Sequence, residues 1–185
     1  MKKLILISGP SGSGKTTIVN KLLKNQPDEL ARPMTYTTRP RRKSKEVAGE
    51  YNFISVKDFK KLIDKNALLE WDLVYGNYYG KALKEIEQIW QAGKTPLITI
   101  DPLSIDKNEF SQKSIIKIFL EVPNSEILKK RIEKRNMDPE KLKKRLEQLP
   151  AELAMAKHAD FIVKNKENEL KQAVKDCEKI IFENA

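Results

Sequence analysis

Leu4-Ile5-Leu6-Ile7-Ser8-Gly9-Pro10-Ser11-Gly12-Ser13-Gly14-Lys15-Thr16 runs from four apolar residues into a complete G-x-x-x-x-G-K-T pattern. The order of these parts decides the fold class. The apolar run reads as a buried strand that holds one end of a loop. Gly9, Gly12 and Gly14 let the backbone curl with its N–H groups pointing inward, and the following helix aims its N-terminal dipole at the enclosed anion. Such a loop is built for a nucleoside triphosphate. Lys15 is placed to reach the β- and γ-phosphates, and the Thr16 hydroxyl to ligate Mg²⁺.

Outward from the loop, Ile18, Leu22 and Leu23 recur at helical spacing until Pro27 breaks the pattern. Residues 31 to 56 read as a small insert, with Pro33 and Pro40 interrupting, Thr35 to Thr38 β-prone and Tyr51-Asn52-Phe53-Ile54 a short strand. Ser55 and Asp58 form a capping-box signature for a helix over Phe59, Leu62 and Ile63 that fades near Asn66. Leu68 to Trp71 returns to apolar chain, and Tyr75-Gly76-Asn77-Tyr78-Tyr79-Gly80 reads as a glycine-bounded aromatic turn. Ala82, Ile86, Ile89 and Trp90 mark a helix ending at Gly93, followed by a buried run from Pro96 to Ile100 that terminates in Asp101. Ile115 to Val122 is the next strand, and Asn124 caps a helix carrying Ile127, Leu128, Arg131 and Ile132. After a turn at Arg135 to Asp138, Asp138-Pro139-Glu140 opens another helix, which Pro150 is expected to kink or divide. Phe161 to Val163 is a last strand and residues 167 to 183 an amphipathic helix. Short apolar strands alternating with helices predict an α/β fold whose parallel sheet, of four or five strands, is covered on both faces.

Composition bounds the rest. With 185 residues and 39% hydrophobic content, the chain can bury one domain's core. No apolar stretch approaches the length of a membrane span, and Met1-Lys2-Lys3 leads into only four apolar residues, so neither a signal peptide nor a membrane partner is expected. One cysteine, Cys177, and one histidine, His158, exclude an intrachain disulfide and a thiolate zinc cluster and point to a reducing, cytoplasmic setting. The net charge of +10 has two readings, neutralisation of polyphosphate or a nucleic-acid-binding face. Charge concentrates at Arg39 to Lys45 and at Lys129 to Arg145, and no nucleic-acid-binding motif accompanies it.

The phosphate loop leaves the acceptor open. A second constellation addresses it: Thr35-Tyr36-Thr37-Thr38-Arg39-Pro40-Arg41-Arg42, Tyr51-Asn52-Phe53, Glu70-Trp71 and Gly76-Asn77-Tyr78-Tyr79-Gly80. In order and spacing these segments resemble the nucleoside-monophosphate-binding insert of guanylate kinases, and the resemblance extends over nearly the whole chain. It implies a single guanylate-kinase-like domain: a phosphate-loop kinase core at 1–33, 82–123 and 150–185, an insert at about 34–81 that binds GMP, and a helical lid at about 124–149. It also implies Mg²⁺-dependent phosphoryl transfer from ATP to GMP by a monomer or homodimer.

The resemblance assigns the residues as well. ATP is expected on Gly9, Ser11, Gly12, Ser13, Gly14, Lys15, Thr16 and Thr17, with Asn165 after the last strand and Thr16 as the metal ligand. Arg39, Arg42, Tyr51 and Tyr79 correspond to groups that hold the GMP phosphate, a task suited to paired guanidinium donors and hydroxyls. Guanine presents N1–H and N2–H₂ side by side, so one ionised carboxylate accepts from both; Glu70, dried by Leu69 and Trp71, is the candidate. Thr35, Gly80 and Asp101 complete the implied GMP site. Lys15 and Arg42, with Arg131, Arg135 and Arg145 of the lid, are the implied catalytic cations, which stabilise charge on the transferring phosphoryl group.

The chain departs from the family's pattern at Lys81, where serine or threonine is usual, at Thr99, at Lys134-Arg135-Asn136 and in the loop Lys43 to Glu50. Lys81 keeps open another small phosphorylated acceptor, a different nucleoside monophosphate or a sugar phosphate. A non-catalytic interaction module of the same fold is the further alternative, against which the intact Lys15-Thr16 argues.

Overall fold

A computed structural model describes residues 2–41, 49–74, 76–105, 114–133 and 139–183, apart from the side chain of Lys141. Its contacts divide the chain into two compact units, Met1–Leu30 with Leu97–Ala185, and Ala31–Pro96. Among the described residues, no helix is long and apolar enough to cross a membrane.

The central strand is β1 (Lys3–Ser8), the apolar run that precedes the phosphate loop. It lies in a five-stranded sheet of order β2-β7-β1-β8-β9, with β2 at Leu30–Ala31, β7 at Thr95–Thr99, β8 at Ser114–Glu121 and β9 at Phe161–Lys164. The β1–β7, β1–β8 and β8–β9 pairs are parallel. Because both faces are buried, β1 is apolar at successive positions instead of alternating. Ile5 and Ile7 point into a core formed with Ile18, Val19 and Leu22 of α1 (Lys15–Asn25) and with Ala173, Val174, Cys177 and Ile181 of α6 (Leu170–Glu183). Leu4 and Leu6, of opposite parity, are also fully buried.

Two further helices belong to this unit, α4 (Ser125–Glu133) and α5 (Pro139–Ala154). The expected cap of α4 is present, with the Asn124 side chain accepting from Glu126 N–H at 2.8 Å. Of the two outcomes expected at Pro150, division does not occur, because α5 continues through it. Proline removes one hydrogen bond from the helix, but Pro150 faces solvent while the adjoining Leu149 packs with Val122 and Leu128. Packing of the buried stripe holds the helix where propensity would end it.

The second unit is built on a four-stranded sheet of order β4-β3-β6-β5. Its strands are β3 (Thr35–Thr37), β4 (Tyr51–Phe53), β5 (Leu68–Val74) and β6 (Asn77–Ala82). One face of the sheet packs against α2 (Val56–Asp64), which opens as its sequence predicts: Ser55 caps it, accepting from Asp58 N–H at 3.1 Å. α3 (Leu83–Gln91) follows β6 directly. The aromatic segment 75–80 also needs correction. Only Gly76, at φ +76°, serves the turn among its described residues, and Asn77 onward is strand. Tyr78, Tyr79 and Gly80 therefore alternate between the sheet's faces.

Tyr36, Tyr78 and Ala82 face α2 and surround Phe59, which is fully buried and stacks on Tyr78 with ring centroids 5.1 Å apart. Gly80 falls on the same side, where contact is closest. A Cβ there would lie 2.9 Å from Phe59 Cζ and 2.9 Å from the Glu70 carbonyl oxygen, and backbone does not yield easily. Gly80→Ala should therefore cost about 1–3 kcal/mol by overpacking. Urea unfolding measures this, and a variant as stable as the parent would contradict the packing described.

Candidate active site

The phosphate loop leaves the buried end of β1 and turns into α1 through Gly9, Gly12 and Gly14, at φ of +139°, +85° and +94°. Contact makes glycine necessary at Gly9, and at Gly14 a side chain would have to displace the Asn165 amide. A Cβ on Gly9 would lie 2.5 Å from the Leu120 carbonyl oxygen, and one on Gly14 would lie 2.5 Å from Asn165 Nδ2. Asn165 clamps the loop, its Nδ2 donating to the Ser13 carbonyl at 2.8 Å. Gly14 sits at the cap of α1 with no side-chain cap bond, so no capping side chain competes for the first helical N–H groups. The Lys15 ammonium donates to the Gly9 carbonyl and, at 3.1 Å, to the Pro10 carbonyl, which places its charge over the loop.

Ser13 Oγ is buried and has no hydrogen-bond partner among the described residues, which suits a loop that encloses a polar ligand. Thr16 and Thr17 stand in the first turn of α1 with exposed side chains. No group of three or more His, Cys, Asp or Glu gathers among the described residues. The donor set fits Mg²⁺ held by one hydroxyl, phosphate oxygens and water; it does not fit an all-protein cage.

Two of the expected lid arginines reach the loop. Arg131 of α4 donates from Nη1 to the Gly12 carbonyl at 3.2 Å, and Arg145 of α5 donates from Nη1 to Ser11 Oγ at 2.8 Å. Arg135 and Arg42 lie outside the described residues. Asp101 follows β7 and caps a single 3-10 turn, its Oδ1 accepting from Leu103 N–H at 2.9 Å.

One residue at this loop escaped the sequence pattern. Glu152, only 8% exposed, accepts from Ser11 N–H through Oε2 at 3.1 Å. It lies seven residues after Arg145, two turns along the same helix face, a relation that the kink or division expected at Pro150 concealed. Burial raises its pKa above the usual glutamate value, the Ser11 hydrogen bond opposes the shift, nearby Asp101 adds to it, and Lys15 and Arg145 oppose it. The folded protein thus holds this proton more tightly than the unfolded chain does. Its contribution favours folding at low pH and is lost as pH rises from the ordinary glutamate range through the raised value. Glu152→Gln keeps an acceptor for Ser11 and removes the titration. The melting temperature of the variant, relative to the parent, should rise from about pH 4 to about pH 8. A difference that stays constant over that range would show that burial does not govern this carboxyl.

In the second unit, register organises the site. Thr35 pairs with Tyr51 on one side and with Lys81 on the other, and Lys81 pairs with Glu70. Tyr51, Thr35, Lys81 and Glu70 therefore form one row across all four strands, on the face opposite α2. Phe53, Thr37, Tyr79 and Asp72 form the next row on the same face. The Arg39 guanidinium lies 4.8 Å from the Tyr51 ring centroid and 5.1 Å from that of Phe53, a cation–π placement over the end of this face. Of the expected GMP residues, Thr35, Arg39, Tyr51, Glu70 and Tyr79 thus gather on one surface. Gly80 turns to the other face and Asp101 belongs to the first unit.

Lys81, which departs from the family's pattern, is a partner of Glu70. Its ammonium donates to Glu70 Oε1 with side chains 13% and 20% exposed. Solvent still reaches both groups, so the pair adds at most about 1 kcal/mol to stability.

Comparison with known proteins bears on the family. The family model described as guanylate kinase matches residues 1–184. The chain is 36% identical over 182 residues to the guanylate kinase of Campylobacter jejuni (strain RM1221), covering 97% of this chain and 87% of that one. It is 35% identical over 167 residues to the guanylate kinase of Chlamydia trachomatis serovar D, covering 88% and 80%. Among solved structures, guanylate kinase from Anaplasma phagocytophilum superposes with a TM-score of 0.72 at 23% identity, covering 99% of this chain and 86% of that one. With a family match along nearly its full length and relatives above 30% identity across most of it, the chain belongs to the guanylate kinase family.

Proposed function

We infer that this chain transfers the γ-phosphoryl group of ATP to a phosphate oxygen of GMP, giving ADP and GDP, the phosphotransfer of the family to which it belongs. The observation that carries the acceptor assignment is the polar face of the second unit, where a carboxylate, hydroxyls and a guanidinium stand together. Glu70 accepts from guanine N1–H and N2–H₂, which adenine cannot offer at the same edge, and Thr35 addresses the base beside it. Arg39, Tyr51 and Tyr79 hold the dianionic phosphate, and Arg42 shares that work by its place in the motif. The insert of about 34–81 is the GMP-binding part in this assignment.

The loop from Gly9 to Thr16 takes the triphosphate on its backbone N–H groups, with Asn165 fixing its curvature. Lys15 spans the β- and γ-phosphates. Arg131 and Arg145, already in contact with the loop, supply positive charge where the transferring group spreads its negative charge, and Arg135 joins them as part of the lid at about 124–149. Thr16 would hold Mg²⁺ through its hydroxyl, and the ion would neutralise phosphate charge there. No general base is needed, because the acceptor oxygen is already ionised.

Lys15→Ala should lower turnover by about a hundredfold or more while leaving the melting temperature unchanged. Full activity in a coupled ADP-release assay would remove Lys15 from the mechanism. Glu70→Gln should weaken GMP by about tenfold or more and leave ATP binding intact. Calorimetric titration of each nucleotide separates the two, and unchanged GMP affinity would remove Glu70 from the base site.

A further inference from the structure

We propose that Lys81 is a second base-reading residue, whose ammonium donates to O6 of guanine while Glu70 accepts from N1–H and N2–H₂; this rests on the assignment of Glu70 to the base. Register places Lys81 between Thr35 and Glu70 in the row on the polar face, and its ammonium touches the Glu70 carboxylate. The edge of guanine reads acceptor, donor, donor across O6, N1 and N2. An ammonium next to a carboxylate reads donor, then acceptor, which is the complement. An ammonium has three N–H donors, so Lys81 can keep one on Glu70 Oε1 and direct another to the base.

Adenine presents an amino donor at C6 and an acceptor at N1. It would set donor against ammonium and acceptor against carboxylate, so the pair discriminates by repulsion as well as by attraction. A lysine that served only as a counter-ion would act differently. GMP would have to displace it from Glu70, and the lysine would weaken binding.

Three monophosphates separate these possibilities in calorimetric titrations. 6-Thioguanosine monophosphate keeps N1–H and N2–H₂ but replaces O6 with sulfur, a weak acceptor, whereas inosine monophosphate keeps O6 and N1–H and lacks N2–H₂. The parent protein should bind GMP about tenfold or more tighter than the 6-thio analogue. Equal binding of the two would overturn the proposal without any variant. Lys81→Met should lose about that factor on GMP, little on the 6-thio analogue, and keep the preference for GMP over inosine monophosphate. Lys81→Arg, which keeps charge and donors, should restore the preference for oxygen over sulfur. Tighter or unchanged GMP binding by Lys81→Met would leave the lysine as a mere counter-ion, and an equal loss on GMP and its 6-thio analogue would leave it only positioning Glu70. Either result overturns the proposal. Glu70→Gln reports on the carboxylate separately. Loss of its preference for GMP over inosine monophosphate upholds the Glu70 assignment whatever Lys81 does, while an unchanged preference overturns both.

Discussion

The structure depends on how tightly the phosphate loop is held against the sheet. At Gly9 the backbone passes so near the Leu120 carbonyl of β8 that no side chain fits, and at Gly14 the Asn165 amide fills the space. The first contact requires β1 to lie directly beside β8, which its six-residue parallel register enforces, and the second requires β9 beside β8 in turn. Full burial of β1 on both faces makes that register costly to shift. The loop conformation is therefore imposed by the sheet before any ligand arrives.

The second unit solves a different problem with one sheet. Its apolar face closes on Phe59 and the opposite face carries the polar row, so a slip of one residue in β6 would exchange Tyr79 and Lys81 with Tyr78, Gly80 and Ala82. The glycine at 80 allows β5, β6 and α2 to approach closely enough to hold that register. Packing on one side thus fixes the row of polar groups on the other.

Charge is divided in the same spirit. Within the lysine- and arginine-rich stretch from 129 to 145, Arg131 and Arg145 turn toward the loop, whereas Lys129 and Lys143 pair along exposed helix faces with Glu126 and Glu147. The net charge of +10 is in part a solvated surface and in part cations turned toward the loop at Gly9 to Thr16. Glu152 stands among those cations as a buried carboxyl that accepts from Ser11 N–H.

What the sequence determined by itself is local: the strand-loop-helix of residues 4 to 25, the Ser55 and Asn124 caps, and the glycines whose backbone angles other residues resist. These depend on neighbours within a few positions, where residue type and spacing carry the physics. The resemblance to guanylate kinases added the insert residues, and Thr35, Arg39, Tyr51, Glu70 and Tyr79 do share one surface. Only tertiary structure decided that the aromatic segment after Gly76 is strand, that α5 passes through Pro150 to deliver Glu152 to Ser11, and that Lys81 meets Glu70. Each is set by pairing between strands or by burial against distant residues, and these energies outweigh the local preferences of glycine, tyrosine and proline.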